Sequence, residues 1–241
     1  MSGHSKWHKV RQFKGAIDAK RSASFTKLAR EITVAAREKG SDPEFNVQLR
    51  VAIDRAKKSS MPKDNIERAI KKGTGEGGAE GQLIEPMYEA YGPNGSALII
   101  ECLTDNRNRS VAEVKTILSK NGGTFANAGA VAHLFDRRGV IRSEQKLPSD
   151  QHDEIELALI DAGALDIQES EDGLEIQAEP TDFAKITEAV EKAGIPISSA
   201  GFEWIPKMPI DVDETTGIAV EDLIDLLEEN DDVSRVFSNL A

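Results

Sequence analysis

Residues 164–177, ALDIQESEDGLEIQ, carry the strongest indication of how this chain folds. Two strand-like segments, 164–168 and 174–177, flank Asp172-Gly173, a dipeptide that favours tight turns between antiparallel strands. The stretch therefore predicts a β-hairpin.

The segments on either side of this hairpin complete a recognisable order. A strand pattern at 139–142 and a helical pattern over 155–162 precede it. A helical pattern over 183–190 and a strand pattern at 198–204 follow it. The order from 139 to 205 is βαββαβ, which predicts the split-βαβ, ferredoxin-like arrangement.

A second α+β unit is predicted from the segments around this one. Residues 82–135 offer strand, strand, helix and strand, with strands expected at Ser96–Leu103 and Val131–Phe135. Ser110 and Glu113 fit a capping box that opens the helix. A helix and a strand in the C-terminal tail would complete this unit, so that the 139–205 unit is inserted into it.

The first 73 residues show helical periodicity throughout. A helix is expected from Ala16 to Lys39, and a second one should bury Phe45 and Leu49. A third begins at Pro62 and ends at Gly73. Short helices with short links predict a small bundle whose basic faces point outward.

We therefore expect an α+β, multidomain fold: a three-helix-type bundle and two ferredoxin-like domains, the middle one discontinuous. Glycine-rich residues 73–81 form the expected linker. The predicted domains are 1–78, 79–135 with 207–241, and the inserted 136–206.

Charge is divided unequally along the chain. The first 73 residues carry 18 Lys and Arg against 8 Asp and Glu, and the other 168 carry 12 against 34. A concentrated basic segment attached to an acidic body favours a polyanion target, and nucleic acid is the leading interpretation. The alternative is a basic domain that docks on the acidic body or on an acidic protein.

Cations interleaved with aromatic residues near the N-terminus are typical of phosphate and base contacts. The predicted nucleic-acid-binding residues are Lys6, Trp7, Lys9, Arg11, Lys14, Lys20, Arg21, Lys27 and Arg30, extended by Lys57, Lys58, Lys71 and Lys72. Trp7 is as readily explained as a core anchor.

A second anion site is suggested by the segment between a strand and a helix. Arg107 and Arg109 flank Asn108 there, close to free backbone amides at a helix start. Structurally, Asp105 and Asn106 suit a tight turn, and the arginines could instead pair with nearby acids.

Catalytic chemistry has little support. The single Cys102 lies in an apolar run that predicts a buried thiol, and His133 and His152 are isolated in sequence. The acidic residues, such as those at 228–232, show the spacing of a solvated helix face. We expect no enzyme, no cofactor, no metal site, no small-molecule substrate and no membrane segment, and a cytoplasmic monomer.

Several long motifs resemble those of the YebC-type family. They include Gly3-His4-Ser5-Lys6-Trp7, Phe25 to Ile32, Met61 to Ile66, Leu103 to Arg109 and Gly129 to Phe135. The family contains bacterial probable transcriptional regulatory proteins and the mitochondrial translational activator of cytochrome c oxidase I. The resemblance extends over essentially the whole chain.

The resemblance implies three domains and a cytoplasmic, non-enzymatic role linked to nucleic acid. It implies either DNA binding in transcription regulation or action at the ribosome through rRNA, notably at proline-rich stretches. A third hypothesis, from the charge pattern, is a protein-binding adaptor that acts through the acidic lobe.

Overall fold

The computed structural model describes residues 21–75, 84–171 and 173–241, without the side chains of residues 21–26. Seven α-helices lie in these ranges: α1 (Arg21–Lys39), α2 (Val47–Lys58), α3 (Lys63–Gly73), α4 (Arg107–Lys120), α5 (His152–Asp161), α6 (Phe183–Lys192) and α7 (Glu214–Glu229). Eight strands accompany them: β1 (Met87–Tyr91), β2 (Ala97–Cys102), β3 (Thr124–Ala126), β4 (Phe135–Ser143), β5 (Ala164–Ser170), β6 (Gly173–Ala178), β7 (Ser199–Pro206) and β8 (Val233–Ser238).

The described residues form two compact units, each built from separate chain segments. The first contains those of Met1–Glu31, Gly77–Asp136 and Trp204–Ala241, and the second those of Ile32–Glu76 and Arg137–Glu203. The α+β fold class expected from the sequence is confirmed, with two four-stranded sheets. The three predicted domain boundaries stay a prediction.

The three helices expected in the first 73 residues are present over their described part. Asn46 caps α2: its side-chain oxygen accepts the Leu49 N–H at 3.0 Å, and its amide group donates to the Ala35 carbonyl at 2.7 Å. One buried side chain thereby begins α2 and attaches it to the end of α1. Phe45 was expected to be buried but is 83% exposed, because the cap leaves it in the turn before the helix.

Close packing of α3 against α1 requires a glycine. A Cβ at Gly73 would lie 2.4 Å from the Thr33 carbonyl oxygen and 2.9 Å from the Ala36 Cβ. The Thr33 hydroxyl donates to the Ala69 carbonyl at 3.1 Å across the same contact. The predicted end of this helix at Gly73 therefore has a packing reason as well as a conformational one.

The sheet of the first unit has the strand order β3-β1-β2-β8, and its three neighbouring pairs are antiparallel. Strands β2 and β3, joined by α4, lie on either side of β1, which is a split-βαβ arrangement. Helices α4 and α7 contribute to the core on one face through Val114, Leu118, Val220, Leu223 and Leu227. The C-terminal tail is thus an integral part of this unit.

The other face of this sheet is covered by the segment before β4. The Glu89 carboxylate, 4% exposed, accepts the backbone N–H groups of Gly129 and Val131 at 2.6 Å and of Ala132 at 2.8 Å. Burial raises the pKa of Glu89, but these three hydrogen bonds outweigh burial and leave the pKa below its usual value. The carboxylate fixes a turn here, so the strand predicted at Val131–Phe135 is wrong: the residues form a short 3₁₀ turn, and the third strand is β3.

The sheet of the second unit has the order β5-β6-β4-β7. In chain order its strands are the second, third, first and fourth of the βαββαβ unit, the order of a split-βαβ fold. The β5–β6 hairpin has the expected turn, with Gly173 at a φ of 133°. A Cβ at Gly173 would lie 2.0 Å from the Ser143 carbonyl oxygen, so glycine is required there.

We expect Leu223→Ala to lower the free energy of unfolding of the first unit by about 3 kcal/mol, because Leu223 is completely buried between α7 and the sheet. Leu226→Ala on the same helix should cost less than about 1 kcal/mol, since Leu226 is 41% exposed. Urea unfolding followed by Trp204 fluorescence, in a Trp7→Phe background, measures both. Equal losses for the two variants would contradict the packing described here.

Candidate nucleic-acid interface

The basic tract at the start of the chain lies outside the described residues. This applies to Lys6, Trp7, Lys9, Arg11, Lys14 and Lys20, and to the side chain of Arg21. Their contacts with nucleic acid stay a prediction. The other predicted cations are described, and their surroundings divide them into two groups.

The first group consists of exposed lysines at helix ends. Lys57 and Lys58 end α2, and Lys71 and Lys72 lie in the last turn of α3. Lys57 Nζ lies 3.6 Å from Asp54 Oδ1, whereas the other three form no ion pair with any residue that the structure describes. Cations in a last turn also stabilise the helix dipole, which explains their position without a ligand. Their charge nevertheless remains accessible to a polyanion.

The second group consists of cations bound within the fold. Arg30 on α1 has a side chain only 19% exposed, with Nη2 3.8 Å from Asp232 Oδ1. Burial lowers the pKa of Arg30, and the nearby Asp232 carboxylate partly offsets the effect. Arg50 pairs with Glu191, so arginine side chains in this segment serve the fold itself. Lys27 on α1 is half-buried.

Asp232, immediately before β8, collects the donors of the predicted second anion site. Arg109 donates from Nε to Oδ2 at 3.0 Å and from Nη2 to Oδ1 at 2.8 Å. The Ser110 and Thr104 hydroxyls donate to Oδ2 at 2.8 and 3.1 Å. Burial raises the pKa of Asp232, but the hydrogen bonds from Arg109, Ser110 and Thr104 outweigh it and hold the pKa below its usual range.

Helix α4 begins one turn earlier than the predicted capping box. Asn106 is the N-cap, and its side-chain oxygen accepts the Arg109 N–H at 3.1 Å. Ser110 lies inside the helix and turns its hydroxyl to the Asn106 carbonyl and Asp232. The capping-box prediction was wrong because a buried carboxylate, invisible in the local sequence, uses the serine.

A cavity of about 630 Å³ opens beside this network. Its lining comprises Arg30, Arg109, Glu113, Glu229, Asn230, Asp231 and Asp232. Four carboxylates against two guanidinium groups make the lining acidic, so phosphate would be repelled there. Of the two arginines predicted to bind an anion, Arg109 already holds a carboxylate and Arg107 is exposed.

The side chains with catalytic potential have structural surroundings. Burial raises the pKa of the Cys102 thiol to about 12, which keeps the thiol protonated and unreactive at neutral pH. His152 is not isolated, as the sequence suggested, because Asp153 and Glu156 approach it in the first turn of α5. None of the described helices is long and apolar enough to cross a membrane.

Two family models match nearly the whole chain. The model described as the TACO1/YebC protein N-terminal domain matches residues 5–76, and the model described as the TACO1/YebC second and third domain matches residues 83–240. The chain belongs to the TACO1/YebC family.

Relatives in this family match over comparable lengths. A "Probable transcriptional regulatory protein" of Persephonella marina is 50% identical over 244 residues, covering 99% of this chain and 95% of the relative. A protein of that description from Rhodococcus jostii is 48% identical over 242 residues, covering 100% and 95%. The crystal structure of a conserved hypothetical protein from Aquifex aeolicus has a TM-score of 0.80 at 42% identity and covers 94% of this chain and 92% of that one. The resemblance found in the sequence motifs is confirmed.

For this TACO1/YebC chain, sequence reasoning missed the role of Asp232. The residues at 228–232 were expected to form a solvated face, but Asp232 is only 3% exposed. The available signal was the Thr104–Arg109 motif, whose hydroxyl and guanidinium groups imply an acidic partner. Nothing in the motif indicates where along the chain that partner lies.

We expect Asp232→Ala to lower the free energy of unfolding by about 3 kcal/mol at pH 7, because Arg109, Ser110 and Thr104 lose a buried partner. Since the folded pKa of Asp232 lies below the unfolded value, its contribution is fully present above about pH 4 and is lost as the pH falls through the folded pKa. Urea unfolding between pH 2 and 8 measures the difference.

The control is Asp231→Ala, which removes an exposed neighbour and should change the free energy of unfolding by less than about 0.5 kcal/mol. A difference between wild type and Asp232→Ala that stays constant down to pH 2 would show that the carboxylate charge is not what stabilises this site.

Proposed function

We propose that this chain regulates gene expression by binding DNA through basic residues of its first 73 positions. The names of its relatives support the regulatory part of the proposal. The charge division supports the nucleic-acid part, since 18 cations face 8 carboxylates in that segment.

The observation that carries the proposal is the different treatment of lysine and arginine. Arg30, Arg50 and Arg109 have carboxylate partners inside the fold. Lys58, Lys71 and Lys72 are exposed and lack an ion pair among the described residues. Arginine forms rigid, bidentate contacts and lysine acts as a flexible point charge, so the exposed lysines suit a ligand with closely spaced negative charges.

Binding of this kind would depend on the phosphate backbone more than on base identity. Lysine contacts to phosphate release counterions, which makes affinity fall steeply with salt, and they carry no direct sequence information. We therefore expect a modest preference among DNA sequences. The same cations would also meet RNA phosphates, so duplex DNA and rRNA fragments belong in one experiment.

Lys71→Gln/Lys72→Gln should weaken binding to duplex DNA roughly tenfold or more at low salt and reduce the slope of log K against log salt by about 2. The matched control is Lys185→Gln/Lys192→Gln on α6, which removes two exposed lysines outside the basic segment and should leave both quantities unchanged. Fluorescence anisotropy with a promoter duplex, its scrambled counterpart and an rRNA fragment, each at several salt concentrations, gives the values.

Three outcomes separate the candidate functions. Tighter binding to the rRNA fragment than to either duplex would replace transcription regulation by a translation role. Equal loss for the control variant would reduce the effect to net charge. No binding to any nucleic acid at low salt would overturn the proposal and favour the adaptor hypothesis.

A further inference from the structure

The second unit contains an unusually acidic stretch. Residues 147–184 include 12 Asp and Glu and no Lys or Arg. Some of these carboxylates serve the fold: Glu175 accepts a hydrogen bond from Arg142 at 2.8 Å, and Glu179 pairs with Arg138. The carboxylates of α5 and β5 have no such Lys or Arg partner among the described residues.

Helix α5, in the middle of this stretch, is apolar on two sides. Ile155 and Leu159 are buried in the core of the second unit. Leu157 and Ile160 are 60% and 53% exposed, although a helix that packs on one sheet needs only one apolar face. Leu165, at the start of β5, adds a third apolar side chain at 53% exposure.

Carboxylates surround the exposed pair at helical spacing. Side chains three or four residues apart are neighbours on a helix surface. Asp153, Glu154 and Asp161 stand in that relation to Leu157, and Glu156 stands in it to Ile160. An apolar patch with a charged rim has the composition of a protein-interaction surface.

Protection of the sheet edge explains only part of this pattern. Strand β5 pairs with β6 alone and carries a bulge between Ala164 and Asp166, and bulges and charges on an edge strand discourage unwanted strand pairing. That argument covers the carboxylates of β5. It gives no reason for apolar residues on the outer face of α5.

We propose that Leu157, Ile160 and Leu165, with the rim carboxylates Asp153, Glu154 and Asp161, form an acidic docking surface for a basic protein segment. The partner presents apolar side chains flanked by Lys or Arg. This inference is independent of the proposed DNA binding, because it rests on different residues and a different class of ligand.

Charge selects this occupant over the others. Nucleic acid and anionic membranes would be repelled by the rim. In a symmetric dimer the same patch meets its own copy, which would bring two acidic rims together. A basic segment instead gains from both the apolar centre and the rim, and the small apolar area makes the contact transient and sensitive to salt.

The test uses the full chain and a fluorescent amphipathic peptide of about 16 residues, with leucines on one helical face and lysines on the others. A peptide with the same composition in shuffled order is the reference. Wild type should bind the amphipathic peptide about tenfold tighter than the shuffled one in anisotropy titrations. Leu157→Ser/Ile160→Ser should abolish that ratio, and Asp153→Asn/Asp161→Asn should weaken both peptides and reduce the salt dependence.

The control variant is Ile218→Ser/Leu226→Ser on α7. These residues are similarly exposed, at 54% and 41%, and lie on an acidic helix, but eight positions apart, so they form no adjacent pair. The control should keep the full ratio, and the thermal midpoints of both Ser variants should stay within about 3 °C of wild type.

Three results would overturn the proposal: equal binding of the two peptides by wild type, an equal loss in the α7 control, or self-association of wild type that Leu157→Ser/Ile160→Ser abolishes. The last result would assign the surface to a second copy of this chain. Sedimentation equilibrium at the titration concentrations detects it.

Discussion

Asp232 is a carboxylate with almost no contact with water, and the segments around it supply the groups that neutralise it. Thr104 after β2, Arg109 and Ser110 in α4, and Arg30 in α1 all face this one side chain. The Asp232 backbone also accepts the Leu103 N–H at 2.9 Å, beside the β2–β8 pairing. A buried ion of this kind is costly unless it is fully satisfied, so the positions of these elements are coupled. The cost selects one arrangement of the loop, the helix start and the final strand.

The same requirement explains why positive charge in this chain is a poor guide to function unless its surroundings are known. Arg109 and Arg142 are satisfied by carboxylates, and Glu203 and Glu175 hold Arg142 on two sides. Such arginines are consumed by the fold. Lysines at helix ends, in contrast, keep most of their hydration and remain available. The functional hypothesis therefore depends on lysines more than on the total count of cations.

The sequence predicted well whatever depends on local periodicity. The βαββαβ order, the hairpin at Gly173 and the helix end at Gly73 follow from apolar spacing and turn chemistry, and all are present. The errors concern groups whose partner is distant in sequence: Glu89 converts a predicted strand at 131–135 into a turn, and Asp232 removes Ser110 from a capping role. Phe45 was misplaced because the Asn46 cap, which depends on Ala35, decides where the helix begins. No local pattern contains this information.

The acidic surface gives the charge division a second physical consequence. A polyanion is confined to the basic residues because the carboxylates of the second unit repel it. Those carboxylates at the same time attract basic proteins, and basic proteins are the ones that themselves bind nucleic acid. Such a partner would therefore have its cations occupied either by the acidic rim around Leu157 or by phosphates, and the two would compete. Because phosphate contacts weaken steeply with salt while the apolar part of the docking contact does not, the balance between them would shift toward the docking surface as ionic strength rises.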